Sequence, residues 1–149
     1  MRIPSKDLVE SVKGFHTLSY YAGINTAFAE VVAAGCKRLT LSSPYDTATA
    51  ALMRGPTRAS AEEYGVKLLE EEDLLVTWLF PRDIAAEKTV FLIAHDEGVL
   101  AEYAGLKEMK KRSDAQGNPD EAEVEIAWRF GRLLSYSDEK IRSLLSRHG

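Results

Sequence analysis

His95 and Asp96 are the residues best suited to chemistry in this sequence, and they stand together in Lys88-Thr-Val-Phe-Leu-Ile-Ala-His-Asp-Glu97. An imidazole titrates near neutrality and a neighbouring carboxylate can orient it, so the pair suits general acid–base work. A second group, Ser43-Pro-Tyr-Asp46, gathers a hydroxyl, a phenol and a carboxylate in one short turn. In a catalytic reading His95 is the acid or base and Asp96 or Asp46 orients it. Ser43 is then a nucleophile or hydrogen-bond donor, and Tyr45 a ligand contact. The bland reading has His95 bonding locally at a strand end, with Asp96 and Glu97 as first-turn acids facing a helix dipole.

A third group lies in Gly14-Phe-His-Thr-Leu-Ser-Tyr-Tyr-Ala-Gly-Ile-Asn25. His16, Tyr20 and Asn25 are candidate ligand-binding residues there, because a tyrosine offers an apolar ring with a polar tip. Core packing with satisfied hydroxyls is the commoner fate of such a segment. If residues 15–21 form a strand, Gly23-Ile-Asn-Thr26 stands at a strand end and helix start, where backbone N–H groups hold anions.

Metal binding has no comparable support. His16, His95 and His148 are scattered, and neither H-E-x-x-H nor C-x-x-C occurs. Residues 114–125 imitate a calcium loop, but Pro119 occupies the position that needs glycine. Cys36 follows the glycine that ends a helix, where the dipole disfavours a thiolate. No metal site is expected, and no glycine-rich phosphate loop or other motif points to a cofactor, which stays unknown.

The chain of 149 residues has a formal charge of −4. That balance argues against a dedicated nucleic-acid binder. Bases slightly outnumber acids from Lys107 onward, and Arg129, Arg132, Lys140, Arg142 and Arg147 loosely imitate a helix-turn-helix array. A helical hairpin that closes the domain or forms a dimer contact is the commoner use of such a pair. No apolar run approaches the about 20 residues needed to span a bilayer, and the start lacks the apolar core of a secretory signal. With one cysteine there is no internal disulfide. The expectation is a cytoplasmic protein. Its expected partners are a small-molecule ligand and a second copy of the chain, not nucleic acid or membrane.

These residues need elements to position them. Ser5 can cap a helix over residues 5–13, and residues 15–21 read either as a strand or as more helix past Gly14. Asn25 and Thr26 suit the cap of a helix over residues 27–34 that stops at Gly35. Residues 37–42 read as a strand. A helix over residues 47–53 should break at Gly55-Pro56 and resume near Thr57. Gly65 then leads into a strand over residues 66–70, or the helix runs on to Glu72. Residues 74–80 alternate with both faces apolar, and residues 88–94 have no polar face at all, so both read as covered strands. Helices follow over residues 98–112, from Pro119 to Leu134, and through Ile141, Leu144 and Leu145. The expected fold is α/β, one domain with a short mixed sheet, helices on both faces and a C-terminal helical hairpin at 119–149.

Strand count decides the catalytic reading. With strands at 66–70, 74–80 and 88–94 alternating in direction, His95 and Asp96 emerge at the same sheet edge as Ser43 and Asp46. If the helix instead runs on to Glu72, residues 74–80 run parallel to residues 37–42, residues 88–94 run the opposite way, and the two groups face opposite edges.

Overall fold

The computed structural model describes residues 16–148, so the helix expected over residues 5–13 lies outside the described residues. The first described helix, α1 (Thr17–Ala33), takes up the ambiguous segment and continues through Gly23. His16 caps it, its Nδ1 accepting the Ser19 N–H at 3.3 Å. Asn25 and Thr26 are therefore not caps. Asn25 is 1% exposed and reaches across to Tyr45 and Thr57, while the Thr26 and Ser60 hydroxyls meet at 2.7 Å. Short polar side chains that suit a cap also suit a helix–helix seam, and here the seam takes them.

Strand β1 (Leu39–Leu41) leads through Tyr45 to α2 (Thr47–Tyr64), whose first turn is capped by Asp46. The break expected at Gly55-Pro56 does not occur, and Pro56 lies inside one continuous helix. Proline strands the carbonyl four residues back, here that of Leu52. Leu52 is 60% exposed, so water can take that carbonyl, while buried Met53, Thr57, Ser60 and Ala61 hold the opposite face. Gly65, at φ +69°, ends α2 in the left-handed conformation and releases the chain into β2 (Lys67–Glu71). The strand reading of this segment is the one that forms.

Residues 74–80 are not a strand. Their period-two pattern is real, since Leu75, Thr77 and Leu79 are buried, but no strand pairs with them. The Leu75 N–H is taken by the Tyr103 hydroxyl at 3.1 Å, and that of Leu79 by Thr77 Oγ1 at 3.2 Å. Alternation reports which side chains are covered; it does not report who accepts the backbone hydrogen bonds.

The next strand, β3 (Val90–Ala94), is wholly buried and lies at the centre of a sheet ordered β1-β3-β2. Both of its pairings are antiparallel, Leu39 facing Ala94 on one side and Lys67 facing Ala94 on the other. The sheet is antiparallel, not mixed, because losing residues 74–80 removes one reversal of direction. β1 and β2 still run the same way, separated by β3.

Helices α1 and α2 cover one face, packing Ala29, Val32, Ala61 and Met53 against Ile93 and Phe91. The other face carries Leu39, Leu41, Val90, Leu92 and Ala94. It is covered by α3 (Glu97–Ala115), α4 (Asp120–Leu133) and α5 (Asp138–Ser146). The α/β class, with helices on both faces and a C-terminal helical pair, is as expected. No described helix is long and apolar enough to cross a membrane.

Candidate functional site

The antiparallel course of β3 separates the two groups singled out for catalysis. His95 leaves the end of β3 beside the start of β1, its N–H donating to the Arg38 carbonyl at 2.9 Å. Tyr45 instead exchanges two backbone bonds of 2.8 Å with Thr89, at the opposite end of the same strand. The six steps from Thr89 to His95 span roughly 20 Å at strand rise. His95 and Asp96 thus do not converge with Ser43 and Asp46, and the expectation of one shared edge is corrected: a missing strand at 74–80 inverted the direction of β3.

Each group has a local occupation. His95 Nδ1 lies 3.1 Å from Asp96 Oδ2, and Asp96 Oδ1 accepts the Val99 N–H as the cap of α3. The imidazole contact and that N–H bond hold the Asp96 carboxyl below the usual aspartate range. Asp46 caps α2 through the Thr49 N–H at 2.7 Å, and that backbone bond lowers its carboxyl likewise. Ser43 is buried, its carbonyl accepting from the Ser42 hydroxyl.

Of the residues proposed to bind ligand, Asn25 and Tyr45 do meet, Asn25 Nδ2 donating to the Tyr45 hydroxyl at 3.2 Å. Tyr45 is buried against Tyr21 and Phe91, and burial pushes its phenol above the usual range. This is core between α1 and α2. Tyr20 joins its edge through Tyr21, at 6.0 Å between rings, and His16 is exposed at the start of α1. Asn25 Oδ1 has no partner among the described residues. No cluster of three or more histidine, cysteine or acidic residues is placed to hold a metal among the described residues.

A wider concavity among the described residues lies elsewhere. A cleft of about 1040 Å³ opens on the sheet face that carries the C-terminal helices. Leu41, Ser42 and Val90 form its floor where β1 ends and β3 begins, so it adjoins the Ser43–Asp46 turn and not His95. One wall is the irregular segment with Leu74, Val76, Trp78 and Phe80; the other is α5 with Lys140, Leu144, Arg147 and His148 beyond it. The Trp78 and His148 rings stack across the two walls, 4.1 Å apart and 11° from parallel. The wall segment is held from behind: Tyr103, which accepts the Leu75 N–H, donates its own hydroxyl to Glu71 at 3.0 Å. Burial, together with the Glu71 charge, pushes that phenol well above its ordinary value.

The inner end of the cleft is polar. Glu123 is 1% exposed, and its Oε1 accepts from Lys110 at 2.6 Å, Asn118 at 2.7 Å and Ser113 at 3.3 Å. Its Oε2 has no partner among the described residues, an uncommon state for a buried carboxylate oxygen. Burial works against the Lys110 ammonium, but bonds to Glu123 and Asp114 outweigh it and hold its pKa above that of ordinary lysine.

Of these cleft residues, Lys110, Lys140 and Arg147 stand out in the sequence only as bases that could touch phosphate, and Asn118 and Glu123 only within the calcium-loop imitation of residues 114–125. The available signal was a strongly apolar segment followed by Pro81-Arg82, which reads as strand and turn until its partners are known. Searches of protein-family models, characterised proteins and solved structures find no match to this chain.

Proposed function

We propose that this protein binds a small molecule with an apolar body in the cleft between residues 74–84 and α5. The observation that carries the reading is the cleft itself. Its volume of about 1040 Å³ is ample for a drug-sized molecule, and its walls are mainly aliphatic and aromatic with a few placed polar groups. Val76 is 39% exposed and faces this space, one of two large apolar side chains so exposed among the described residues. His95 with its carboxylate partner lies at the other end of the sheet, so that pair takes no part in this cleft.

The apolar faces of α4 and α5 are spent inside the chain, with Ile126, Phe130, Leu133 and Ile141 essentially inaccessible. A homodimer through those helices, the other expectation, therefore draws no support from an uncovered face.

The test is titration with the neutral apolar dye N-phenyl-1-naphthylamine. Saturable fluorescence enhancement at one site per chain is expected. Val76→Glu should abolish it while changing stability by no more than about 0.5 kcal/mol, as surface substitutions usually do. Linear, unsaturable enhancement, or undiminished binding by that variant, would sink the proposal.

A further inference from the structure

Taking the cleft as the binding site, we infer that its ligand is an amphipathic carboxylate, with an apolar tail on the Trp78–Phe80 wall and its anionic head held at Arg82, Lys140 and Arg147. The charge of the lining is the reason. Four Lys or Arg side chains border the cleft against one carboxylate, Glu123, in a chain whose formal charge is −4. Lys110 is already committed to Glu123 and Asp114. Arg82, Lys140 and Arg147 make no ion pair among the described residues, although Arg82 feels the charge of Asp114. Elsewhere seven of the twelve described Lys and Arg side chains have a carboxylate partner, among them Arg38–Glu102, Arg54–Glu70 and Lys107–Glu71.

Cations gathered around an apolar cleft raise the local concentration of an anion, and guanidinium groups match the planar fork of a carboxylate. The aliphatic stems of Lys140 and Arg147 extend the apolar wall of α5 towards its charged rim. A neutral ligand would leave these charges unused. A cationic one would meet three like charges.

The inference rests on the cleft reading, and displacement of N-phenyl-1-naphthylamine from the full chain separates the two. Decanoate, decanol and decyltrimethylammonium share one tail and differ in head charge. Decanoate is expected to displace the dye at roughly tenfold lower concentration than decanol, the discrimination one charge-assisted hydrogen bond supplies. The preference should shrink at high salt. It should fall severalfold in the Lys140→Gln/Arg147→Gln double variant, whose two sites are exposed, read as the ratio of decanoate to decanol displacement so that any change in dye affinity cancels. Equal displacement by decanol and decanoate, or stronger displacement by the ammonium, overturns the carboxylate head and leaves the cleft reading standing. No dye binding overturns both. Sedimentation with phosphatidylglycerol vesicles while free decanoate is inert assigns the cations to a membrane surface and overturns the inference.

Discussion

Gly131 in α4 gives the sharpest test of how α5 is seated. A Cβ added there would stand 2.6 Å from Ile141 Cγ1 and 2.7 Å from Cδ1, with Leu79 Cδ1 behind them at 3.5 Å. Ile141 is completely buried, so its side chain has nowhere to retreat. Two terms oppose each other in Gly131→Ala. Alanine favours the helix by about 1 kcal/mol. Overpacking a closed core costs about 1–3 kcal/mol, and a clash this short belongs at the upper end. The net expectation is a loss of about 2 kcal/mol, or about 4–8 °C in Tm for a chain of this size. Urea unfolding should show a lower midpoint with an unchanged slope. The same substitution at Gly105, where a Cβ meets nothing within 4 Å, is the control and should stabilise by about 0.5–1 kcal/mol. Ile141→Ala alone should cost about 2–5 kcal/mol. Combined with Gly131→Ala, the new methyl partly refills the space, so the double variant should be about 1–3 kcal/mol more stable than additivity gives. If Gly131→Ala is as stabilising as Gly105→Ala, α5 does not pack on α4 at this point, and the wall it gives the cleft is misplaced.

Other perturbations probe the remaining joints. Pro56→Ala restores a backbone donor in the middle of α2 and should stabilise by about 2 kcal/mol in urea unfolding, helix propensity outweighing the gain in unfolded-state freedom. Tyr103→Phe removes the acceptor of the Leu75 N–H and the donor to Glu71; a loss of about 1–3 kcal/mol is expected, with weaker dye binding because the cleft wall loosens. Glu123→Ala leaves Lys110 without its nearest carboxylate in a partly buried position and should cost about 3–5 kcal/mol by thermal unfolding. The Asp46 carboxyl is held below its unfolded value of 3.8, so its contribution is present above that pH and is lost as pH falls through the folded value. Asp46→Asn keeps a cap but cannot titrate, so it should flatten the acid limb of stability against pH; an unchanged limb would show that the cap charge is irrelevant.

Elements whose ends carry their own chemistry were legible in the sequence. Gly65 offered an end for α2, because a left-handed residue there costs glycine little, and Asp96 and Glu97 were legible as acids at the start of α3, where Asp96 proves to be the cap. β3 was legible because five consecutive apolar residues leave no wet face. Asn25, Thr26 and Pro56 misled for one shared reason. Local preference assigns each to a boundary, and tertiary contacts along α1 and α2 outweigh about 1–3 kcal/mol of preference.

The cleft was hidden by the same error that inverted β3. Residues 74–80 look like a strand because buried side chains alternate, yet a three-stranded sheet with β3 at its centre has no room for them beside β3. Laid over the sheet face instead, the segment buries Leu75, Thr77 and Leu79 and turns Val76 and Trp78 towards α5. A paired strand would have had its second face covered by a helix; an unpaired one, held by Tyr103, by the Trp78–His148 stack and by its own apolar side chains, leaves a gap that α5 spans without filling. The cations at that gap come from residue 82 and from residues 140 and 147; the seven-residue spacing puts the last two on one face of α5, but nothing in the sequence brings Arg82 to them. Only the path of residues 74–84 does so. A variant that drew this segment into an edge strand beside β2 would lose the cleft, whatever it did to stability.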